Sequence, residues 1–264
     1  MALCPKCGRE VTEEAVYCPN CGSSLSNATT VEPLDFEIRY RPSYSMLVVQ
    51  FKPNQSITAE AGAMTYMTPT IQVETRKREK SLLGTIGLSV LGRQSFFVND
   101  FTAVGGRGEA GFVSAPIGDI EKLEITPTNG YIIQKAAYIA STAAVNLDVQ
   151  WQGFTKGLFG QGLFMIKATG QGMLFINAFG ALDRHTLRPR ERLTVDNFHL
   201  VAFSDTCQYN VTKFGGWKET ILGGEGLVTE ITGPGDVLIQ TKNLKELVDW
   251  IWTLLEPRIQ SRVR

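Results

Sequence analysis

Histidine is nearly absent from this chain of 264 residues: only His185 and His199 are present. Neither stands beside a nucleophile signature, so the side chain most used for acid–base work near neutral pH is scarce. Net charge is absent too. Twenty-six Lys and Arg balance 26 Asp and Glu, which removes bulk charge as a reason to bind nucleic acid or an acidic membrane surface. No run approaches the roughly 18 apolar residues of a membrane-spanning helix. Met1 leads into Ala2-Leu3-Cys4 without a basic or an apolar leader region, so the expected location is the cytoplasm, with peripheral membrane contact left open. Phosphate loops are also missing, because each Gly-x-Gly leads into strand-forming residues where a phosphate cradle needs a helix N-terminus.

What the chain does have begins with cysteine. Cys4-Pro5-Lys6-Cys7-Gly8 and Cys18-Pro19-Asn20-Cys21-Gly22 are two copies of one knuckle. Each lets two thiolates reach one metal, while the following glycine lets backbone N–H groups turn toward sulfur. Cys4, Cys7, Cys18 and Cys21 thus predict a closed tetrahedral site for structural Zn2+, with disulfides or a rubredoxin-like iron as rivals. About 22 residues bury too little core to fold alone, so the metal supplies most of this module's stability. With all four ligands from protein, no position is open for catalysis, and the module presents a surface to something else. The expected division is a zinc ribbon at residues 1–25, a flexible linker at 26–33, a triplicated β domain at 34–242, and a helix and tail at 243–264.

The β domain is built around residues 162–177, GLFMIKATGQGMLFIN. Two apolar runs flank a Gly-Gln-Gly turn, which reads as a buried β-hairpin. The pattern recurs at residues 226–241 around Gly233-Pro234-Gly235 and at residues 96–114 around Gly106-Arg107-Gly108, about 64 residues apart. The predicted fold is therefore mainly β: three antiparallel sheets with pseudo-threefold internal symmetry. Small residues in the intervening strands, such as Ala61-Gly62-Ala63 and Ala136-Ala137, mark close approach of neighbouring backbone. The first repeat alone carries an insertion, the basic residues 75–80 followed by the apolar, glycine-spaced residues 81–92. Leu82, Leu83, Ile86, Leu88 and Leu91 are candidates for membrane or partner contact, or for a lid over the domain's own core.

Asn243 and Glu246 form a capping-box pattern ahead of an amphipathic helix. Leu244, Leu247, Val248, Ile251, Leu254 and Leu255 share one stripe, and Pro257 is the expected stop. That stripe is expected to pack on the β body, although Trp250 and Trp252 widen it enough for a subunit interface. Arg184, Arg188, Arg190 and Arg192 make the densest basic run, a candidate nucleic-acid patch or a solvated loop. Cys207, alone in a strand, reads as a small buried hydrophobe.

Several motifs in order carry a resemblance: Glu60-Ala61-Gly62-Ala63-Met64, Ser95-Phe96-Phe97, Gly157-Leu158-Phe159-Gly160, Gly170-Gln171-Gly172, His199-Leu200-Val201-Ala202-Phe203, and Gly224-Glu225-Gly226-Leu227 through Gly233-Pro234-Gly235. From about residue 45 to 241 the chain resembles the family of the mitochondrial biogenesis protein named for altered inheritance of mitochondria. The resemblance implies a fold similar to the tryptophan RNA-binding attenuator protein, an analogy of fold only. It brings no catalytic residues, since none is established in that family. The ribbon is an addition that the mitochondrial member lacks, and mitochondrial location is not carried over. The leading expectation is a non-catalytic binding or scaffold protein with an unidentified protein partner, with homo-oligomerisation left open. Nucleic-acid binding through the ribbon and the arginine run comes second, and an enzyme with a pocket between repeats third.

Overall fold

The computed structural model describes residues 2–3, 9–12, 20, 33–78, 96–152, 163–213 and 227–263. The chain divides into two compact units, Met1–Leu34 and Asp35–Arg264. In the first, β1 (Ala2–Leu3) pairs antiparallel with β2 (Glu10–Val11), with Ala2 opposite Val11 and Leu3 opposite Glu10.

The second unit opens with β3 (Asp35–Arg39) and then uses a six-strand module three times. The first module is β4 (Met46–Phe51), β5 (Ser56–Glu60), β6 (Met64–Met67), β7 (Ile71–Arg78), β8 (Phe96–Ala103) and β9 (Gly108–Phe112). The second is β10 (Ile120–Ile125), β11 (Tyr131–Gln134), β12 (Tyr138–Thr142), β13 (Val145–Gln152), β14 (Leu163–Gly170) and β15 (Gly172–Asn177). The third is β16 (Leu182–Leu187), β17 (Arg192–Asp196), β18 (Leu200–Ser204), β19 (Gln208–Lys213), β20 (Leu227–Thr232) and β21 (Gly235–Gln240).

One pairing rule holds in all three modules. The sixth strand lies between the first and third, and the fifth lies between the second and fourth, always antiparallel. Register repeats as well. Gly108 faces Phe51, Gly172 faces Ile125 and Gly235 faces Leu187. A register shift falls at the same place each time, between Met64 and Tyr66, Tyr138 and Ala140, and Leu200 and Ala202. The triplication read from the glycine turns is thus present in the backbone.

The turns themselves differ from expectation. β8 and β9, β14 and β15, and β20 and β21 do not pair with each other; each Gly-x-Gly carries the chain from one sheet into another. They are corners, not hairpins. Strands buried on both faces lose the alternation that would tell a hairpin from an arch, so the apolar runs fit either. Gly172 shows why glycine is needed at a corner: its φ is 146°, and a Cβ there would collide with the Thr142 hydroxyl.

Modules join by strand pairing; the small-residue stretches Ala61-Gly62-Ala63 and Ala136-Ala137, expected in strands, are a turn and part of a 3-10 helix. β5 pairs with β12, Ala59 opposite Ala140, giving the sheet β10-β15-β12-β5-β8-β7. β11 pairs with β18, Ile133 opposite Ala202, giving β13-β14-β11-β18-β21-β16. At the first junction Tyr138 is fully buried, and its hydroxyl donates to the Thr58 carbonyl at 3.0 Å. One hydrophobic core gathers Leu123, Tyr138, Leu147, Ile166 and Ile176, and another gathers Ile132, Phe203, Ile231 and Val237.

Two further expectations are corrected. Residues 75–78 belong to β7, with Thr75 opposite Asn99 and Arg78 opposite Phe96, so four of the six residues of the basic hexamer are strand, not insertion. β7 is a sheet edge, where charged side chains suit a solvent-facing strand and discourage edge-to-edge pairing. The C-terminal helix, α1 (Leu244–Val263), runs through Pro257 instead of stopping there. Proline removes the one N–H that would bond the Thr253 carbonyl, a local loss that leaves the turns before and after it helical.

Candidate interaction surfaces

The three modules are tied by a line of charges. Arg41, in the turn before β4, donates to both oxygens of the buried Asp119 carboxylate, each at 2.9 Å. Ser45 Oγ and the Ile120 N–H also donate to Asp119. Arg41 reaches on to Glu121 at 3.0 Å, Glu121 lies 3.5 Å from Arg184, and Arg184 meets Asp236 at 2.6 Å. Three carboxylates alternate with two guanidiniums. Burial pushes the Asp119 carboxyl up, but the Arg41, Ser45 and backbone donors outweigh it and hold the group below the usual carboxylate range. Every partner lies in another strand or turn, so the line is structural cross-bracing with bidentate specificity.

That network divides the arginine run. Arg184 is held by Asp236 and Glu121 on β16, whereas Arg188 and Arg190 lie in the exposed turn before β17 and Arg192 begins that strand. The Glu191 carboxylate accepts the Arg188 N–H at 2.8 Å within the same turn. Arg184 is thus engaged by two carboxylates, while Arg188, Arg190 and Arg192 are exposed.

The titratable groups near β18 lack the geometry of a nucleophile and base. Cys207 is buried among Phe203, Ile231 and Val237, as a small hydrophobe would be, but it lies in the turn between β18 and β19 and not in a strand. Burial first, and Asp236 and Asp205 second, push its thiol up to about 11, far from a reactive thiolate. His199 has both ring nitrogens engaged, Nδ1 with the Gln240 carbonyl at 2.7 Å and Nε2 with Asn243 Nδ2 at 2.9 Å. A carbonyl only accepts, so Nδ1 carries the proton and Nε2 accepts from the Asn243 amide. Asn243 Oδ1 in turn accepts the Glu246 N–H at 2.8 Å and caps α1.

Sequence reading missed Glu60 as a titrating group. It lies at the end of β5, and burial pushes its carboxyl up to about 7 against the pull of Lys135. Lys135 follows β11 in another module, 75 positions on in the chain, so no local motif joins the two. The charge line is hidden for the same reason.

Beyond its cap, α1 stands largely free. Leu244, Val248, Trp250, Ile251, Trp252, Leu254, Leu255 and Ile259 are all exposed, and only Leu247 on the stripe is half-buried. Among the described residues the expected packing of this stripe on the β body is therefore not found. Periodicity says which residues share a face and nothing about what covers it. Among the described residues no helix is long and apolar enough to cross a membrane.

Cys4, Cys7, Cys18 and Cys21 lie outside the described residues, as do Leu82, Leu83, Ile86, Leu88 and Leu91. The donor set fits Zn2+ by its chemistry: four thiolates in two short knuckles suit a tetrahedral soft-ligand site. The antiparallel pairing of β1 with β2 brackets the first knuckle, as a ribbon requires.

A repeat-built β body preceded by a cysteine-knuckle module defines the class: a triplicated β protein with an N-terminal ribbon. The chain belongs to the family described as mitochondrial biogenesis AIM24, whose model matches residues 36–242. A zinc-ribbon domain model matches residues 3–25. An uncharacterized protein of Streptococcus pyogenes serotype M6 is 28% identical over 218 residues, covering 80% of this chain and 87% of that protein. A crystal structure of another Streptococcus pyogenes protein aligns with a TM-score of 0.69 at 24% identity, over 84% of this chain and all of the other. The last likeness is one of fold.

Proposed function

We propose that this chain is a non-catalytic scaffold: a rigid β body that carries a zinc-ribbon adaptor and docks through its C-terminal helix. The observation that carries this reading is the capped, exposed apolar face of α1, where Trp250 and Trp252 stand open to solvent beside Val248, Ile251 and Leu255. Contiguous apolar surface with aromatic anchors is the composition of a binding site. In this reading the ribbon cysteines hold structural Zn2+, Leu82 to Leu91 add a second apolar contact, and the chain works in the cytoplasm, at most peripheral to a membrane. The nucleic-acid alternative has less support, since Arg184 is already engaged by Asp236 and Glu121. The test is a photo-crosslinking residue at Trp252 in living cells. Discrete protein or lipid adducts, absent when the same residue replaces exposed Glu74 on β7, support docking. Equal labelling at both positions sinks it.

A further inference from the structure

The pairing rule that joins the modules is fulfilled twice and leaves a third junction open. In the closed junctions the outer edge of a third strand takes the second strand of a neighbouring module: β12 takes β5, and β18 takes β11. The third strand left over is β6 and the second strand left over is β17. Among the described residues, β6 pairs only with β9 and β17 only with β20, so the sheets β3-β4-β9-β6 and β17-β20-β19 remain separate.

Burial marks the same gap. Met67 occupies the position of Ser141 and Phe203 in the shared register; those two are 0% exposed at closed junctions, and Met67 is 40% exposed. Thr194 is exposed where its counterparts Thr58 and Ile132 are buried. Nothing about β6 spoils the edge sterically. Tyr66 stands where the closed junctions have Ala140 and Ala202, but its ring lies back over Gly111, whose counterparts are Phe175 and Leu238. Large and small residues have exchanged places across β6 and β9, and a Cβ at Gly111 would collide with that ring. The Tyr66 hydroxyl donates to Glu109 at 2.7 Å and holds the ring on the sheet face, off the strand edge.

We propose that this open junction is an interface for a second copy of the chain, with β6 of each protomer pairing antiparallel to β17 of its partner. The closed junctions dictate the register: Tyr66 opposite the partner's Val195, and Met67 opposite the partner's Thr194. The occupant is a second copy because the edge complementary to β6 is written in this chain, on β17. Each protomer carries both halves once. Two copies exchanging both halves form two equal seams about a twofold axis and leave neither edge unpaired. This surface is distinct from α1 and does not depend on the scaffold reading.

The test mixes two full-length, zinc-loaded single variants, Met67→Cys in one and Thr194→Cys in the other. Neither variant alone can form a bridge between positions 67 and 194, and both substitutions are at exposed sites. After mild oxidation the expected result is a peptide pair linked between positions 67 and 194 in the mixture. No link between positions 67 and 74 should form when Glu74→Cys replaces Thr194→Cys. Lack of the link in the mixture overturns the proposal. So does a link found only within monomers of the double variant, which would mean that the chain closes the junction on itself.

Discussion

Glu60 is the side chain whose behaviour departs furthest from what its type implies. Unfolded, it ionises near 4.5; folded, burial raises it to about 7. The folded state therefore holds the proton more tightly. Its contribution to stability is fully present below about 4.5 and is lost as pH rises through 7. Glu60→Gln should abolish that dependence. Half-exposure screens the effect, so the difference expected between pH 4.5 and 7.5 is on the order of 1 kcal/mol, read from urea unfolding of both proteins across that range. Parallel pH profiles would refute it. At this scale the chain is only partly legible. Cys207 is readable as a buried core residue because an isolated cysteine amid apolar neighbours needs nothing from afar, although the turn it occupies reads as strand. Asp119 is not, because its partner Arg41 lies 78 positions away, and local spacing carries no trace of that meeting.

At the level of elements, apolar periodicity located most strands and the start of α1, whereas what each element touches came out differently. The Gly-x-Gly segments read as hairpins and are corners between sheets. Glycine permits either path, and only the partners across each ladder separate them. The helix likewise begins where Asn243 predicts and continues past Pro257 without covering its apolar stripe. Its anchor is a short relay from the Gln240 carbonyl through His199 to Asn243 and the Glu246 N–H. Asn243→Ala removes the cap and the donor to His199 Nε2 together. The expected cost is about 1 kcal/mol, seen as roughly fivefold faster amide exchange over the first turn of α1, with β-strand amides unchanged. Unaltered exchange there would mean that the helix holds without its cap.

For the whole molecule, the ribbon and the β body should respond separately to loss of metal. A strong zinc chelator is expected to release one Zn2+ per chain and expose residues 1–25 to proteolysis, while the thermal transition of the body stays in place. A downward shift of that transition would show that the ribbon braces the body. Composition and spacing alone determined the cysteine-knuckle module, the β class, the threefold repetition and a capped terminal helix. These rest on local chemistry: ligand geometry, strand propensity, glycine turns and side-chain oxygens at a helix start. The tertiary structure decided which strands pair, that Arg184 joins a bracing network of carboxylates and guanidiniums, and that, among the described residues, two of three equivalent junctions close. Those outcomes depend on contacts between residues some 50 to 80 positions apart, and such contacts exist only once the chain has folded.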